Sequence, residues 1–392
     1  MSYRKLKADY LFDGYRILPA DSVLICGPNG SILEITNEEQ AGSELEYFSG
    51  MIAPGFINCH CHLELSHLKG LIPEKEGLVN FVLSVMAFRF QSYPSKQQAI
   101  LNAEADMLNT GIVAVGDISN TLDTIHAKKA KRLEYYNFIE LLGWPPEYAK
   151  ERYKAAKKLA DELVGLGFGE NHVSLVPHAP YSVSNELWDL MKEGFRNKTV
   201  SIHNQESLAE NEFFLSGKGD LNRLYTHMKI DNSHFKVPGC NSLAFYLSKL
   251  KEAHRILLVH NTYMDKSDLI AASRFHEKLY LCLCPNANLY IENKLPDMPL
   301  FLEHTDRIVL GTDSLASNRQ LSILEEIKTI RKIFPDISSE LMLVWATSNG
   351  AKALSFETML GDFTKGKKPG VVLIEHLNGS EIGEESTSRR LV

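Results

Sequence analysis

Two histidines separated by one residue, His60 and His62, are the first side chains in the sequence with metal-binding chemistry. They follow the apolar segment MIAPGFIN, whose residue types predict a β-strand. Because alternate side chains of a strand point to the same side, both imidazoles can bind one divalent ion. Imidazole is a common ligand of Zn²⁺, but a His-x-His pair alone is weak evidence in a chain with 14 histidines.

Two further metal-competent side chains follow other apolar segments. His203 ends the segment TVSIH and Asp313 ends RIVLGTD, so each stands at the predicted end of a strand. With the first pair they offer three nitrogens and one oxygen, which together with water suit a catalytic Zn²⁺ or Fe²⁺ ion. The sequence therefore predicts one divalent metal ion, with Zn²⁺ favoured over Fe²⁺.

Two residues near these ligands indicate catalysis. Glu206 follows His203 by three residues, where the chain turns from strand into helix, and a carboxylate there can pass a proton from water to a leaving group. His260 ends RILLVH and can hydrogen-bond the oxygen or nitrogen at the reacting carbon. The alternatives are structural: a solvated glutamate at a helix start and a buried histidine bonded to backbone.

Eight strand-like segments alternate with helical patterns and would position these residues. The segments are MIAPGFINCH, GIVAVGDI, LEYYNFIE, HVSLVPH, TVSIH, RILLVH, LYLCLC and RIVLGTD. Alternation of this kind predicts a parallel sheet, and eight strands between about Ile52 and Asp313 predict an α/β fold, a (β/α)8 TIM-like barrel. The carboxyl ends of barrel strands meet at one face, which would bring the histidines and the aspartate together.

The two ends of the chain differ from this middle part. Both contain β-rich segments, and in the first of them the run Gly27-Pro28-Asn29-Gly30 predicts a hairpin turn. We expect residues 1–50 and 360–392 to join as one small composite β domain, beside a metal-binding barrel over 51–359.

The composition excludes several classes of protein. With 42 Lys and Arg against 49 Asp and Glu, the net charge of −7 has the wrong sign for a general nucleic-acid binder. There is no apolar run long enough to span a membrane, and the N-terminal residues do not resemble a signal peptide. Six cysteines without an export signal do not indicate a disulfide framework, so we expect a reducing, cytoplasmic location.

Several motifs, in this order, resemble the amidohydrolase superfamily and, within it, the aminohydrolase branch of deaminases and chlorohydrolases. They are PGFINCHCH, VPHAPYS, SIHNQES, LLVHNTY, LCPNANLYI and VLGTDSLASN, followed by ATSNGAKAL and KGKKPG. The resemblance covers nearly the whole chain. It implies a (β/α)8 barrel with a small composite β-sandwich domain formed by both termini.

The resemblance also assigns the metal ligands. The ligands of a single metal ion in the family match four residues of this chain, namely His60, His62, His203 and Asp313. Members with two metal ions carry a carboxylated lysine at the end of the fourth strand, and here that position is in or near His178. One metal ion is therefore implied.

The reaction implied by the resemblance is hydrolytic deamination of a purine nucleoside-like or related amino-heterocycle. Asp313 takes a proton from the metal-bound water, and the resulting hydroxide attacks the amidine carbon. Glu206 protonates the adjacent ring nitrogen, His260 stabilises the tetrahedral intermediate, and ammonia leaves. A chlorohydrolase or an amide or ring hydrolase could use the same mononuclear site, but intact Glu206 and His260 favour deamination.

The segment after the metal pair, HLELSHLKGLIPEKEGLVNFV, resembles deaminases of adenosine-type nucleosides, including those for S-adenosylhomocysteine and aminofutalosine. Carboxylates suit ribose hydroxyls and an aromatic ring suits a heterocycle. The candidate substrate contacts are His178, Glu64, Glu74, Glu76, Trp144, Asn286, Ser314 and Asn318, with Asn288 beside Asn286. The alternative for Glu74 and Glu76 is that they belong to a solvated loop, and the alternative for Trp144 is a packing role.

A function of another class, a non-catalytic scaffold, stays open at this point. The loss of a ligand or of the proton-transferring carboxylate would indicate it, and none is lost. The expected partners are a small heterocyclic substrate and water, without nucleic acid or membrane, and a homodimer is compatible with the sequence. The motifs do not identify the substrate.

Overall fold

The computed structural model describes residues 3–89, 91 and 95–392. Within this part of the chain the strands form one mixed six-stranded sheet and two parallel four-stranded sheets. The six-stranded sheet contains β1 (Arg4–Leu11), β2 (Ser22–Cys26), β3 (Ile32–Asn37), β4 (Glu46–Pro54), β13 (Val371–Glu375) and β14 (Thr387–Arg390). Both ends of the chain therefore contribute to the same sheet.

The two four-stranded sheets lie between these ends in the sequence. The first contains β5 (Phe56–Cys61), β6 (Ile112–Ile118), β7 (Glu134–Leu141) and β8 (Val173–Pro177). The second contains β9 (Thr199–Asn204), β10 (Arg255–His260), β11 (Leu279–Leu283) and β12 (Ile308–Leu310). All eight strands run parallel to their neighbours within each sheet and overlap the eight segments predicted from the sequence. The segment MIAPGFINCH, predicted as one strand, is divided between β4 and β5.

Helices connect the parallel strands. In chain order they are α1 (Glu38–Ala41), α2 (Gly77–Phe88), α3 (Lys96–Asn109), α4 (Ile125–Lys129), α5 (Ala149–Gly165), α6 (Asn185–Met191), α7 (Leu208–Ser216), α8 (Leu221–His227), α9 (Ser242–Tyr246), α10 (Lys266–Ala272), α11 (Pro285–Ile291), α12 (Met298–His304), α13 (Ile323–Ile333), α14 (Ser339–Val344) and α15 (Gly350–Ala353). The strand–helix alternation confirms the predicted α/β class.

Local sequence explains where α13 begins and how it packs. The side chain of Ser322 accepts a hydrogen bond from the Glu325 backbone N–H, and acidic residues occupy the first turn. Its buried Ile327 and Ile330 lie on one face, as expected for a helix covering a sheet. The helix is therefore specified both by its cap and by its apolar periodicity.

The edges of the two parallel sheets approach each other on both sides. The backbone N–H of His203 donates to the carbonyl of His178 at 2.9 Å, next to β8 and β9. The N–H groups of Thr312 and Asp313 donate to the carbonyl of His60 at 3.0 Å, next to β12 and β5. The carboxyl ends of all eight strands therefore lie at one face, where the predicted site residues follow them.

A glycine permits the close approach of β12 to β5. A side chain added at Gly311 would lie 2.8 Å from Cβ of His60 and 3.0 Å from Sγ of Cys284. Such contacts are shorter than packed side chains allow, so only glycine lets the chain before Asp313 lie against His60.

No helix in the described parts of the chain is long and apolar enough to cross a membrane. All six cysteines belong to the described residues and none forms a disulfide, as the sequence predicted. Five are buried, including both Cys-x-Cys pairs, and Cys240 is partly exposed. These thiols pack as small core side chains.

Candidate functional site

His60 lies at the end of β5 and His62 directly follows this strand, so the two side chains are neighbours, as their spacing predicted. Their Nε2 atoms are 3.2 Å apart, and their ring centroids are separated by 4.9 Å. Both rings are buried, and His60 is completely inaccessible to solvent. Two imidazole nitrogens therefore meet in one small volume at the carboxyl end of the strand.

Asp313 faces this pair from the chain segment after β12. Its Oδ1 lies 3.4 Å from Nε2 of His62 and 3.7 Å from Nε2 of His60, and its Oδ2 accepts a hydrogen bond from the hydroxyl of Ser317. Burial favours the neutral acid, but the close approach of His60 and of the other neighbouring imidazoles outweighs it and holds the pKa of Asp313 well below its usual range. The carboxylate therefore stays ionised.

His203 reaches the same volume from the end of β9. Its Nδ1–H donates to the carbonyl of His178 at 2.8 Å, which leaves Nε2 with its lone pair in the neutral ring. The ring stacks on His260 with centroids 5.4 Å apart and lies 4.9 Å from the ring of His60. Burial lowers the pKa of His203 well below its usual value, so the ring is neutral and able to bind a metal ion.

The donor atoms in this volume fit a single divalent cation. His60, His203, His260 and Asp313 each offer one ligand atom, and these atoms lie within 4.8 Å of one another. His62 belongs to a second such group, with Glu140 and His203. The buried Nδ1 of His60 has no hydrogen-bond partner among the described residues. We refer to His60, His62, His203, His260 and Asp313 as the His/Asp cluster.

Glu206 lies against the His/Asp cluster, and no Lys or Arg of the described residues lies within ion-pair distance of it. Its Oε1 is 3.7 Å from Nε2 of His260, and 4% of the residue is exposed. Burial is the largest influence, and together with the charges of Asp313 and Glu292 it raises the pKa of Glu206 well above its usual value. The surroundings therefore favour the protonated form of this carboxyl, which is the form that a general acid requires.

The turn between His203 and Glu206 is held by a buried polar network. Gln205 has a φ of 45°, which is rare for a residue other than glycine. Its backbone N–H donates to Oε1 of Glu210 at 3.0 Å, and its Nε2 donates to Asp268 at 2.8 Å. The network fixes the unusual backbone that directs Glu206 toward the cluster.

Three of the predicted substrate contacts lie close to the His/Asp cluster. The ring of His178 lies 4.8 Å from that of His203, and burial together with the charge of Arg89 lowers its pKa to about 3. Ser314 follows Asp313, and its hydroxyl is 3.1 Å from that of Ser317. The third is Glu64, two residues after His62.

Glu64 follows the histidine pair and is buried beside β6. Its carboxylate accepts hydrogen bonds from Arg89 at 3.1 Å, from the backbone of Asn120 at 3.1 Å and from the hydroxyl of Thr121 at 3.0 Å. Burial nonetheless raises its pKa. The side chain is fully hydrogen-bonded by the protein, which was not evident from the sequence.

The other predicted substrate contacts bond to residues outside the cluster. Glu74 pairs with Arg319 at the surface, and the carbonyl of Glu76 accepts a hydrogen bond from Asn80. Trp144 stacks on Tyr225 with ring centroids 5.4 Å apart. The Glu74–Arg319 pair and the Trp144–Tyr225 stack each join parts of the chain that are far apart in sequence.

Asn286 and Asn318 share a partner that the sequence did not single out. The backbone N–H of Asn286 and the Nδ2 of Asn318 each donate to Glu326 at 2.8 Å. The side chain of Asn318 also donates to the carbonyl of Thr312 at 2.9 Å, one residue before Asp313. Both asparagines thus brace the segment around Asp313.

Two residues of the site were not predicted, although signals for them exist. Glu140 stands near the end of the predicted strand LEYYNFIE, and its Oε1 lies 3.4 Å from Nδ1 of His203. Like the histidines, Glu140 stands at the end of a predicted strand, so the same reasoning could have identified it. Ser317 lies in the motif VLGTDSLASN, but its bond to Asp313 depends on a turn that the motif alone does not specify.

A fully buried ion pair supports the first sheet beneath the site. Nζ of Lys128 lies 2.5 Å from Oδ2 of Asp117, and both side chains are inaccessible to solvent. Oδ1 of Asp117 accepts a hydrogen bond from the backbone of Leu63, the residue after His62, at 2.9 Å. The pair therefore anchors the chain directly after the two histidines.

Comparisons with known proteins agree with this geometry. An adenosine deaminase from Helicobacter pylori is 30% identical over 316 residues, which are 78% of this chain and 75% of that protein. An aminodeoxyfutalosine deaminase from Nitratiruptor is 26% identical over 345 residues, covering 83% and 79%. The crystal structure of Helicobacter pylori aminofutalosine deaminase with methylthio-coformycin has a TM-score of 0.82 at 26% identity, covering 95% of this chain and 92% of that one.

The sequence profile of the amidohydrolase family matches residues 51–385, which include all eight parallel strands and the His/Asp cluster. The resemblance predicted from the motifs is confirmed, and the chain belongs to the amidohydrolase family.

Proposed function

We propose that the chain is a metal-dependent hydrolytic deaminase that replaces the amino group of a purine nucleoside, or of a related amino-heterocycle, with oxygen. The position of Glu206 carries this proposal, because its carboxyl lies 3.7 Å from His260 of the His/Asp cluster and burial there favours its protonated form. Protonation of a ring nitrogen by such a carboxyl makes the neighbouring carbon electrophilic. The activities named for the relatives, adenosine and aminodeoxyfutalosine deamination, support the same reaction.

Four residues would hold one divalent ion: His60, His62, His203 and Asp313. Three neutral nitrogens and one carboxylate oxygen favour Zn²⁺, with Fe²⁺ as the other compatible ion. When bound there, the ion would supply Lewis-acid activation of a water molecule near neutral pH.

The protein's own carboxyl groups account for the proton transfers. Asp313, ionised and oriented by Ser317, accepts one proton from the attacking water while Glu206 gives its proton to the ring nitrogen. The carbon becomes tetrahedral, and Asp313 passes its proton to the amino group, which leaves as ammonia. The remaining hydroxyl proton returns to Glu206, so the product carries a carbonyl oxygen and a protonated ring nitrogen.

Of the predicted substrate contacts, we propose His178, Ser314 and Glu64 for the wall around the heterocycle. The proposal is supported by the ring of His178, which lies 4.8 Å from that of His203, and by the buried Glu64 and Ser314, which follow His62 and Asp313 by two residues and one residue. The other five candidates contact residues of the protein outside the cluster, so they are better suited to supporting the site than to binding the substrate. They are Glu74, Glu76, Trp144, Asn286 and Asn318.

For the architecture, we propose that the two parallel sheets form one closed (β/α)8 barrel over residues 51–359. The backbone hydrogen bonds from His203 to His178 and from Thr312 to His60 support closure on both sides. The composite domain would consist of residues 1–50 and 360–392, with the sheet curled into a sandwich around a shared apolar cluster. Strand β4 continues to Pro54 in this sheet, slightly beyond the predicted boundary.

Ammonia release tests the proposed reaction. Metal-loaded protein would be incubated with adenosine, S-adenosylhomocysteine, methylthioadenosine, aminofutalosine, guanine, a pterin and cytosine. A 6-chloropurine riboside would be included as a halide-releasing substrate. We expect ammonia from at least one adenosine-type nucleoside. Protein with about one ion per chain that releases no ammonia from any compound would overturn the proposal, and chloride release alone would point to a chlorohydrolase.

A further inference from the structure

The side chain of Asn288 contacts His260 at two points. Asn288 lies on α11 and is 1% exposed. Its Oδ1 is 2.8 Å from Nδ1 of His260, and its Nδ2 is 3.4 Å from the backbone carbonyl oxygen of the same residue. One amide therefore meets both the ring and the backbone of His260.

These two contacts determine which nitrogen of His260 carries a proton. A carbonyl oxygen only accepts hydrogen bonds, so the amide must present its Nδ2 to the His260 backbone. Its Oδ1 then faces the ring and also only accepts, so Nδ1 of His260 must be the donor. In a neutral imidazole this leaves Nε2 with a lone pair.

The surroundings of Nε2 agree with that assignment. Its distance of 3.7 Å to Oε1 of Glu206 is too long for a hydrogen bond. An N–H at Nε2 would therefore lack the well-placed acceptor that Oδ1 of Asn288 provides for Nδ1 at 2.8 Å. Because Nε2 of His260 and Oε1 of Glu206 are not hydrogen-bonded to each other, each can bond to water or substrate.

We propose that Asn288 is a positioning residue that fixes His260 in the Nδ1–H form, so that Nε2 accepts a hydrogen bond from the attacking water. The role in catalysis rests on the proposed deaminase function. In this arrangement His260 orients the water by accepting from its O–H, and the same acceptor serves the hydroxyl of the tetrahedral intermediate. This differs from a histidine that donates a hydrogen bond to the reacting atoms.

The tautomer can be measured without any substrate. Metal-free protein labelled with ¹⁵N in its histidines would be studied by long-range ¹H–¹⁵N NMR, with the His260 signals assigned from their absence in His260→Gln. We expect a protonated Nδ1 and an unprotonated Nε2 in the wild type. A protonated Nε2 with an unprotonated Nδ1 would overturn the proposal.

Variants at Asn288 separate positioning from general structural damage. Asn288→Ala removes the acceptor, and we expect His260 to lose the fixed Nδ1–H form. Asn288→Asp keeps an acceptor and should retain it. Asn349→Ala is the matched control, because this buried amide donates to backbone carbonyls of Asp306 and Ile308 away from the site. An unchanged tautomer in Asn288→Ala would contradict the inference.

Kinetics of the metal-loaded enzyme test the catalytic consequence. Removal of a partner that orients a site histidine typically costs 10–100-fold, so we expect kcat of Asn288→Ala to fall by about that factor with KM nearly unchanged. Asn288→Asp should recover part of the loss. Wild-type kcat in Asn288→Ala would overturn the role. If Asn288→Ala does not fold, the NMR spectra of the wild type and of Asn288→Asp still test the tautomer of His260. These spectra need no substrate, so they test it even if the protein deaminates nothing.

Discussion

The two parallel sheets end in polar residues of different kinds. After the strands of the second sheet, Glu206 and Asp313 face histidines and have no Lys or Arg within ion-pair distance among the described residues. In the first sheet, Asp117 of β6 is paired with Lys128, and Glu64, which follows β5, is paired with Arg89. Glu140 at the end of β7 is the exception in that sheet, because it faces His203. Two kinds of buried carboxyl group therefore surround the site: some are neutralised by cations, and the others are left to protons and a metal ion.

This difference separates reactivity from support. A carboxyl without a cation partner has its protonation set by burial and by neighbouring groups, which is useful for proton transfer. A carboxyl paired with a buried lysine has a fixed charge and holds the chain in place. Substitutions of the two kinds of carboxyl group should therefore give different results: lost activity with retained stability for those without a cation, and lost stability for those paired with one.

The largest effect is expected at Glu206. Glu206→Gln keeps the shape of the side chain but removes the proton donor, so kcat should fall by about 10²–10⁴-fold. Stability should not decrease, because a buried amide needs no proton to be neutral. Ammonia release and urea unfolding would be measured together, with the exposed Glu212→Gln as the control. A kcat close to that of the wild type would contradict the assigned role.

Breaking the buried pair of the first sheet should mainly affect folding. Lys128→Met leaves Asp117 charged and unpaired inside the protein, which typically costs about 3–5 kcal/mol of unfolding free energy. The exposed pair of Lys157 and Asp161 offers a control, since Lys157→Met should change stability by less than about 1 kcal/mol. Urea denaturation would measure both. If the two variants lost equal unfolding free energy, the buried pair would stabilise the fold no more than the exposed pair does.

A smaller effect is expected at Ser317. Ser317→Ala removes the hydrogen bond to Oδ2 of Asp313 without changing a ligand, so metal affinity should fall by about 10–100-fold. Competition with a chelator would measure it, and the neighbouring Ser322→Ala, which loses only a helix cap, should keep wild-type affinity. An unchanged affinity in Ser317→Ala would show that Asp313 does not depend on this bond.

The smallest effect is a change in pH dependence. Burial raises the pKa of Glu326 from its ordinary 4.5 to about 8, so the folded protein binds a proton there that the unfolded chain has released. The associated stability is complete below about pH 4.5 and is lost as the pH rises through 8. Glu326→Gln should flatten the decline of unfolding free energy between these limits, whereas exposed Glu303→Gln should not. Parallel curves for wild type and Glu326→Gln would count against this protonation.

Much of the fold could be predicted because it depends on local patterns. Each of the eight parallel strands overlaps a predicted apolar segment, and α13 lies within LSILEEIKTIRKIF, whose apolar residues have helical spacing. The segment MIAPGFINCH was predicted as one strand, but the structure divides it between β4 and β5 at Gly55. A Cβ at Gly55 would lie 2.6 Å from the carbonyl of Pro369, a contact between distant parts of the chain.

The gathering of the His/Asp cluster was also predictable, because strand ends meet at one face of a parallel sheet. The support of the site was not. Glu64 and Arg89 are far from Thr121 in sequence, and Asn318 reaches Glu326 only after α13 has packed. Such partners depend on side-chain geometry between elements, which periodicity does not contain.

The most direct test of the account is oxygen-isotope incorporation during turnover. The metal-loaded enzyme would convert the adenosine-type nucleoside that it uses best in H₂¹⁸O, and the product would be examined by mass spectrometry. We expect ammonia to be released and one ¹⁸O atom to be incorporated at the carbon that carried the amino group. Both should be lost in Glu206→Gln. A product that forms without ¹⁸O at that carbon, or at an undiminished rate in Glu206→Gln, would contradict it.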